Sequence, residues 1–71
     1  MTMRIIAKSE EMQRARIAKG WNRVQLAEAA GVTAQSISRI EKGENAGPGT
    51  AKKIADALEI SVNDLFTIDA K

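Results

Sequence analysis

Apolar residues recur along this chain at helical spacing, and the polar residues between them supply the places where helices begin and end. Side chains placed at 100° steps around a helix axis gather Met12, Ala15 and Arg16 on one side of a first segment. Leu26 and Ala30 share one side of a second segment, Thr33, Ile37, Ile40 and Glu41 one side of a third, and Ile54, Ala55 and Leu58 one side of a fourth. The termination signals agree with these segments. Ser9 predicts a cap for the first helix, with Glu10 and Glu11 in its positive first turn and Gly20 at its end. Asn22, followed three residues later by Gln25, predicts a capping box and a short helix from about Arg23 to Ala30. Thr33 caps the third, Pro48 opens the fourth, and Ser61 caps a fifth.

With 71 residues the chain predicts one domain over 1–71, and its core is expected from Met12, Trp21, Leu26, Val32, Ile37, Ile40, Ile54, Leu58, Ile60, Val62 and Leu65. A domain of this length buries only about 60% of the surface its unfolded chain exposes, so each apolar contact matters. Trp21, placed just after a helix-ending glycine, is expected to fold onto the core rather than serve as an exposed recognition aromatic. MRII near the start and FTI near the end are β-favouring and fall outside the helical core. They predict a short antiparallel pairing of the termini, within one subunit or between two, with an unpaired state as the alternative. Ile17 and Val24 project outward, either as ordinary exposed apolar residues or as part of a subunit contact.

The second and third helical patterns are joined by Gly31, Val32 and Thr33: a residue tolerant of a left-handed backbone, an apolar plug and a cap. Helix, short glycine turn and second helix make a helix-turn-helix over about 23–42. The outer side of the second of these helices carries Gln35, Ser38, Arg39 and Lys42, so it presents amide, hydroxyl and guanidinium without an acid. In the DNA major groove glutamine can pair with adenine, arginine with guanine, and serine with either kind of edge. A plain solvated face is the alternative.

Several runs extend this pattern: GWNRVQLA from Gly20, the AGVT turn, SISRIEKG from Ser36 to Gly43, TAKKIADAL from Thr50 and SVNDLF from Ser61. In this order and spacing they resemble the Cro and repressor type of helix-turn-helix proteins, the family of the lambda-like phage repressors and many small bacterial regulators. The likeness covers residues 12–66, within a recognisable module of 9–66. It implies an all-α fold, a compact five-helix lambda-repressor-like DNA-binding domain, with double-stranded DNA as partner. Ala34, Gln35, Ser36, Ser38 and Arg39 match base-facing positions. Ala34 departs from members with a polar residue there and offers only a methyl group. Asn22 and Arg23 match phosphate contacts, and Thr33, Lys42 and Asn45 are further phosphate candidates, with Gly47, Lys52 and Lys53 nearby. Arg16 and Glu41 match an internal ion pair, and the helical projection turns both inward. The resemblance also implies a homodimer reading an inverted repeat with half-sites about 34 Å apart. Its contact is expected around Val62 to Ile68.

Composition removes most other chemistry. The chain has no cysteine and no histidine, so the usual soft-metal ligands and the usual general base are missing, and no cofactor or enzymatic role is expected. No apolar run reaches the roughly 18 residues needed to span a bilayer, and the start MTMRIIAKSEE has no secretion-signal stretch, which places the expectation in the cytoplasm with no membrane partner. Net charge is +2 but unevenly spread: residues 1–53 carry +5 and residues 54–71 carry −3. The positive part is expected to face phosphate, although the loop ENAGPG (44–49) has Glu44 and no basic residue. The expected function is a sequence-specific transcription regulator, a repressor that occupies an operator. The alternative is an antitoxin or other module that binds a partner protein and its own promoter.

Overall fold

A computed structural model describes residues 3–70 and orders them as β1 (Met3–Ala7), α1 (Ser9–Ala18), α2 (Arg23–Ala30), α3 (Ala34–Glu41), α4 (Pro48–Leu58), α5 (Val62–Leu65) and β2 (Phe66–Ala70). The helices begin where local chemistry satisfies their free N–H groups. Asn22 and Gln25 form the full capping box: Asn22 Oδ1 accepts the Gln25 N–H at 2.8 Å, and Gln25 Oε1 accepts the Asn22 N–H at 2.9 Å. The Thr33 hydroxyl oxygen accepts the Ser36 N–H at 3.1 Å, and Ser61 does the same for Asp64 at 3.3 Å. Pro48 stands in the first turn of α4, where its missing N–H costs nothing. Gly31 closes α2 at φ +74° with open space where a Cβ would sit, so the position demands glycine for its backbone angle alone.

The core holds Met12, Leu26, Ile37, Ile54, Leu65 and Phe66, all fully buried. α2 buries Leu26, Ala27 and Ala30 and packs against both α3 and α4, the small side chains allowing close approach. Four expected core residues sit at the rim instead: Trp21, Val32, Ile60 and Val62 are half-buried and pack against the core from outside. Lys19 lies 5.8 Å from the Trp21 ring centroid, so the indole is covered on one side by a cation rather than by apolar chain.

The termini pair within one chain, antiparallel, in a register from Met3 opposite Ala70 to Ala7 opposite Phe66. The expectation that they stand apart from the core is corrected. Ile5, Ala7 and Phe66 are buried and belong to the same apolar cluster as the helices. A strand alternates faces every residue, so Ile5 and Ala7 fall on one side and the register adds Phe66 to it. A search at helical period cannot gather them. The ribbon is also tied to the loop after α3: the Ile5 N–H donates to Asn45 Oδ1 at 2.7 Å, and the Ala46 N–H donates to the Ile5 carbonyl at 2.8 Å.

Ser9 does not cap α1. Lys8 occupies the cap position without a side-chain bond, and its own N–H is held by the Leu65 carbonyl at 2.9 Å. Strand pairing thus fixes where the helix starts, and Ser9 becomes its first residue. The freed hydroxyl donates to the Glu41 carbonyl at 2.6 Å. Among the described residues no helix is long and apolar enough to cross a membrane.

Glu59 ends α4 at φ +60°, a left-handed conformation that disfavours a residue with a Cβ. Its carboxylate meets Lys19 at 3.0 Å, but the Glu59 side chain is 77% exposed, so the pair contributes little. Glu59→Gly is therefore expected to stabilise the fold by about 0.5–1 kcal/mol despite losing that pair. Urea unfolding checks it, and a lowered midpoint at unchanged slope would contradict the reading.

Candidate nucleic-acid interface

α3 is held at both ends and along one side, which leaves its other side free. Ile37 and Ile40 anchor it in the core. At its start the Thr33 hydroxyl also donates to Ser36 Oγ at 2.9 Å, so Thr33 and Ser36 are coupled to each other. At its end the Glu41 side chain, only 1% exposed, has one oxygen 3.1 Å from Arg16 Nε and the other 3.0 Å from Arg23 Nε. Both nitrogens donate to the carboxylate. Arg16 Nη1 further donates to the Trp21 carbonyl at 3.1 Å, fixing the turn between α1 and α2. One carboxylate thus links α1, α2 and α3, while the Ser9 hydroxyl holds the Glu41 main chain.

On the open side Gln35 and Arg39 are exposed, four residues apart and so stacked on one helical face. Neither makes a side-chain hydrogen bond or ion pair among the described residues. Ser38 beside them is half-buried, and Lys42, at the C-cap, is exposed. Ala34 is half-buried and leans on the core, so its methyl group has a structural use.

The flanking candidates are placed unevenly. Asn22 is exposed, with its carbonyl oxygen committed to the capping box and its amide N–H groups outside that bond. Arg16, Asn22, Arg23 and Val24 line one shallow open hollow at the start of α2. Arg23 is bound to Glu41 through Nε, yet its side chain stays 48% exposed, so the rest of the guanidinium still reaches solvent. Sequence reasoning missed this second arginine, because residues 23 and 41 are joined only by the crossing of α2 and α3. An acid on the buried side of a helix was the available signal, since one arginine satisfies only part of a buried carboxylate. Asn45 is likewise half engaged, its carbonyl oxygen serving Ile5. The structure brings Asn22 and Arg23 together at one corner and keeps Asn45 on the side of the loop bound to β1.

Two comparisons bear on this arrangement. A family model described as helix-turn-helix matches residues 12–65. Among solved structures, that of the transcriptional regulator VanUg, Form II, is similar with a TM-score of 0.70 and 20% identity, covering 100% of this chain and 92% of that one. At this identity the likeness to VanUg establishes the fold.

The two arginines of Glu41 differ in exposure, and that difference sets an order. Arg16, at 13% side-chain exposure, is nearly buried, so Arg16→Met is expected to cost about 3 kcal/mol by leaving the carboxylate half-satisfied. Arg23, half in solvent, is screened, and Arg23→Met is expected to cost about 1 kcal/mol or less. Chemical unfolding of both variants measures this. The reverse order would show that Arg23 is the main partner.

Proposed function

Because the chain belongs to the helix-turn-helix family, a family of DNA-binding transcription regulators whose members are typically not enzymes, we propose that it reads a specific DNA sequence through α3 and represses transcription by occupying its operator. The observation that carries this is the exposed Gln35 and Arg39 pair on a helix fixed behind by Ile37, Ile40 and Glu41. In the major groove Gln35 and Arg39 read base edges, with Ser38 and Ser36 at the groove wall and Ala34 offering a methyl contact. Asn22, Arg23, Thr33, Lys42 and Asn45 hold the phosphates, which set register without reading sequence. One eight-residue helix covers only a few base pairs, so two copies related by a twofold axis read an inverted repeat with centres about 34 Å apart. The protein works in the cytoplasm, where its DNA is.

Selection of sites from a random DNA pool tests this directly, with an inverted repeat as the expected product; recovery of no motif would remove the proposal. On the selected site Gln35→Ala and Arg39→Ala are each expected to lose about 1–3 kcal/mol of binding, and much less on random DNA. Lys42→Ala is expected to weaken both and to reduce the salt slope by about 1. Equal losses on both DNAs from Gln35→Ala would argue against base reading.

A further inference from the structure

A helix runs out of N–H groups to meet its last carbonyls, and in α3 the final one is that of Glu41. The three before it are served by the chain itself: Lys42, Gly43 and Glu44 return their N–H groups to Ser38, Ile40 and Arg39. Glu41, only 5% exposed, receives no backbone N–H among the described residues, and its carbonyl takes the Ser9 hydroxyl at 2.6 Å instead. Ser9 is half-buried and set from behind, since the Lys8 N–H is held by the Leu65 carbonyl and Met12 is fully buried. Ser9, Met12 and Arg16 share one face of α1, at steps of three and four residues. That face grips Glu41 twice, by its main chain and by its carboxylate.

We propose that Ser9 is a positioning residue for sequence reading: it fixes the main chain at the C-terminal end of α3, and with it the place from which Arg39 reaches the major groove. This rests on the proposed reading of DNA by α3. The two grips on Glu41 are not equivalent. A glutamate side chain has three rotatable bonds, so its carboxylate can keep both arginines while the backbone behind it shifts. A hydroxyl bonded to the carbonyl acts on the backbone itself, two residues from Arg39. The other end of α3 has its own fastening, the Thr33 oxygen that accepts the Ser36 N–H, and Gln35 lies there. Gln35 and Arg39 are thus aimed from opposite ends by separate bonds. The loop that follows is secured from the same N-terminal segment, with the Ile5 N–H on Asn45 Oδ1 and the Ala46 N–H on the Ile5 carbonyl. The cost falls on α1, whose first turn goes without a side-chain cap.

Ser9→Ala in the full chain tests this, with Ser9→Thr, which keeps the hydroxyl, as the conservative variant. On a site selected from random DNA, Ser9→Ala is expected to weaken binding about fivefold, and on unselected DNA by less than about twofold. Ser9→Thr is expected to restore it. Coupling gives the sharper readout. Ser9→Ala is expected to cost almost nothing further in the Arg39→Ala background and the same factor of about five in the Gln35→Ala background, a split that a general loss of stability does not produce. Binding is measured where far-UV circular dichroism shows every variant folded. Without DNA, hydrogen exchange at the Gly43 and Glu44 amides, which close the end of α3, is expected to speed up about tenfold in Ser9→Ala, with Ser36 and Ile37 unchanged. Equal Ser9→Ala losses in both backgrounds, or no change at those two amides, overturn the assignment. Losses from Gln35→Ala and Arg39→Ala with none from Ser9→Ala sink the assignment and keep the DNA reading; no loss from any of the three sinks the DNA reading and the assignment with it.

Discussion

A carboxylate removed from water must have both oxygens bound, and in this protein Glu41 meets that demand with one arginine from each of two other helices. Apolar burial of Ile37 and Ile40 holds α3 against the body but is non-directional, and leaves rotation about the helix axis weakly set. The paired guanidinium bonds are directional. Arg16 fixes the carboxylate to α1 and, through the Trp21 carbonyl, to the turn before α2; Arg23 fixes it to the start of α2. With the Thr33 cap at the other end, the exposed positions Gln35 and Arg39 are oriented by bonds made at the two ends of the helix and by its buried side. Orientation of the outward face is thus a property of the inward one.

The same bond explains why Arg23 has two sides. Its Nε belongs to Glu41, which limits where the guanidinium can lie, while half of the side chain stays in solvent beside Asn22. A long charged side chain ordinarily loses rotamer freedom when it meets a ligand, and one already held loses less. The Nε bond makes Arg23 a structural residue, and it leaves the other two nitrogens of the planar fork outside the bond to Glu41.

What was legible in the sequence was what is local. Asn22 with Gln25, Thr33 with Ser36, and the left-handed Gly31 each close over a few residues, so their chemistry is written in adjacent letters. The inward set Ile37, Ile40 and Glu41 was legible because one helix repeats every 3.6 residues. The illegible part is set by distant chain meeting in space. Ile5 reaches Asn45, and Ser9 reaches the Glu41 carbonyl, through bonds that depend on the whole body being assembled. The terminal strands have five residues each, too few for alternation to declare which face is buried until the register supplies the partner strand. Trp21 folds onto the core as its position after Gly20 implies, but that position does not say how much of its bulk the core can cover, and the ring stays half-buried.

The fold also resolves how a chain with an acidic end can present a basic face. Residues 54–71 carry −3, which by itself would oppose phosphate. Asp56 is paired with Lys52 at 2.7 Å and Glu59 with Lys19 at 3.0 Å. Asp69 stands opposite Arg4 in the ribbon, and Asp64 lies in the first turn of α5, where an acid complements the helix dipole. Two of the four acids of this end are therefore held in ion pairs, and a third has an arginine opposite it in the ribbon, which weakens their field at longer range. Glu41 is cancelled as well, with one positive charge to spare, because two arginines meet it. Arg39 and Lys42 have no such local acid bound to them among the described residues. Arg39 and Lys42 thus leave two cations at the C-terminal end of α3 outside any ion pair among the described residues, although the chain's net charge is only +2.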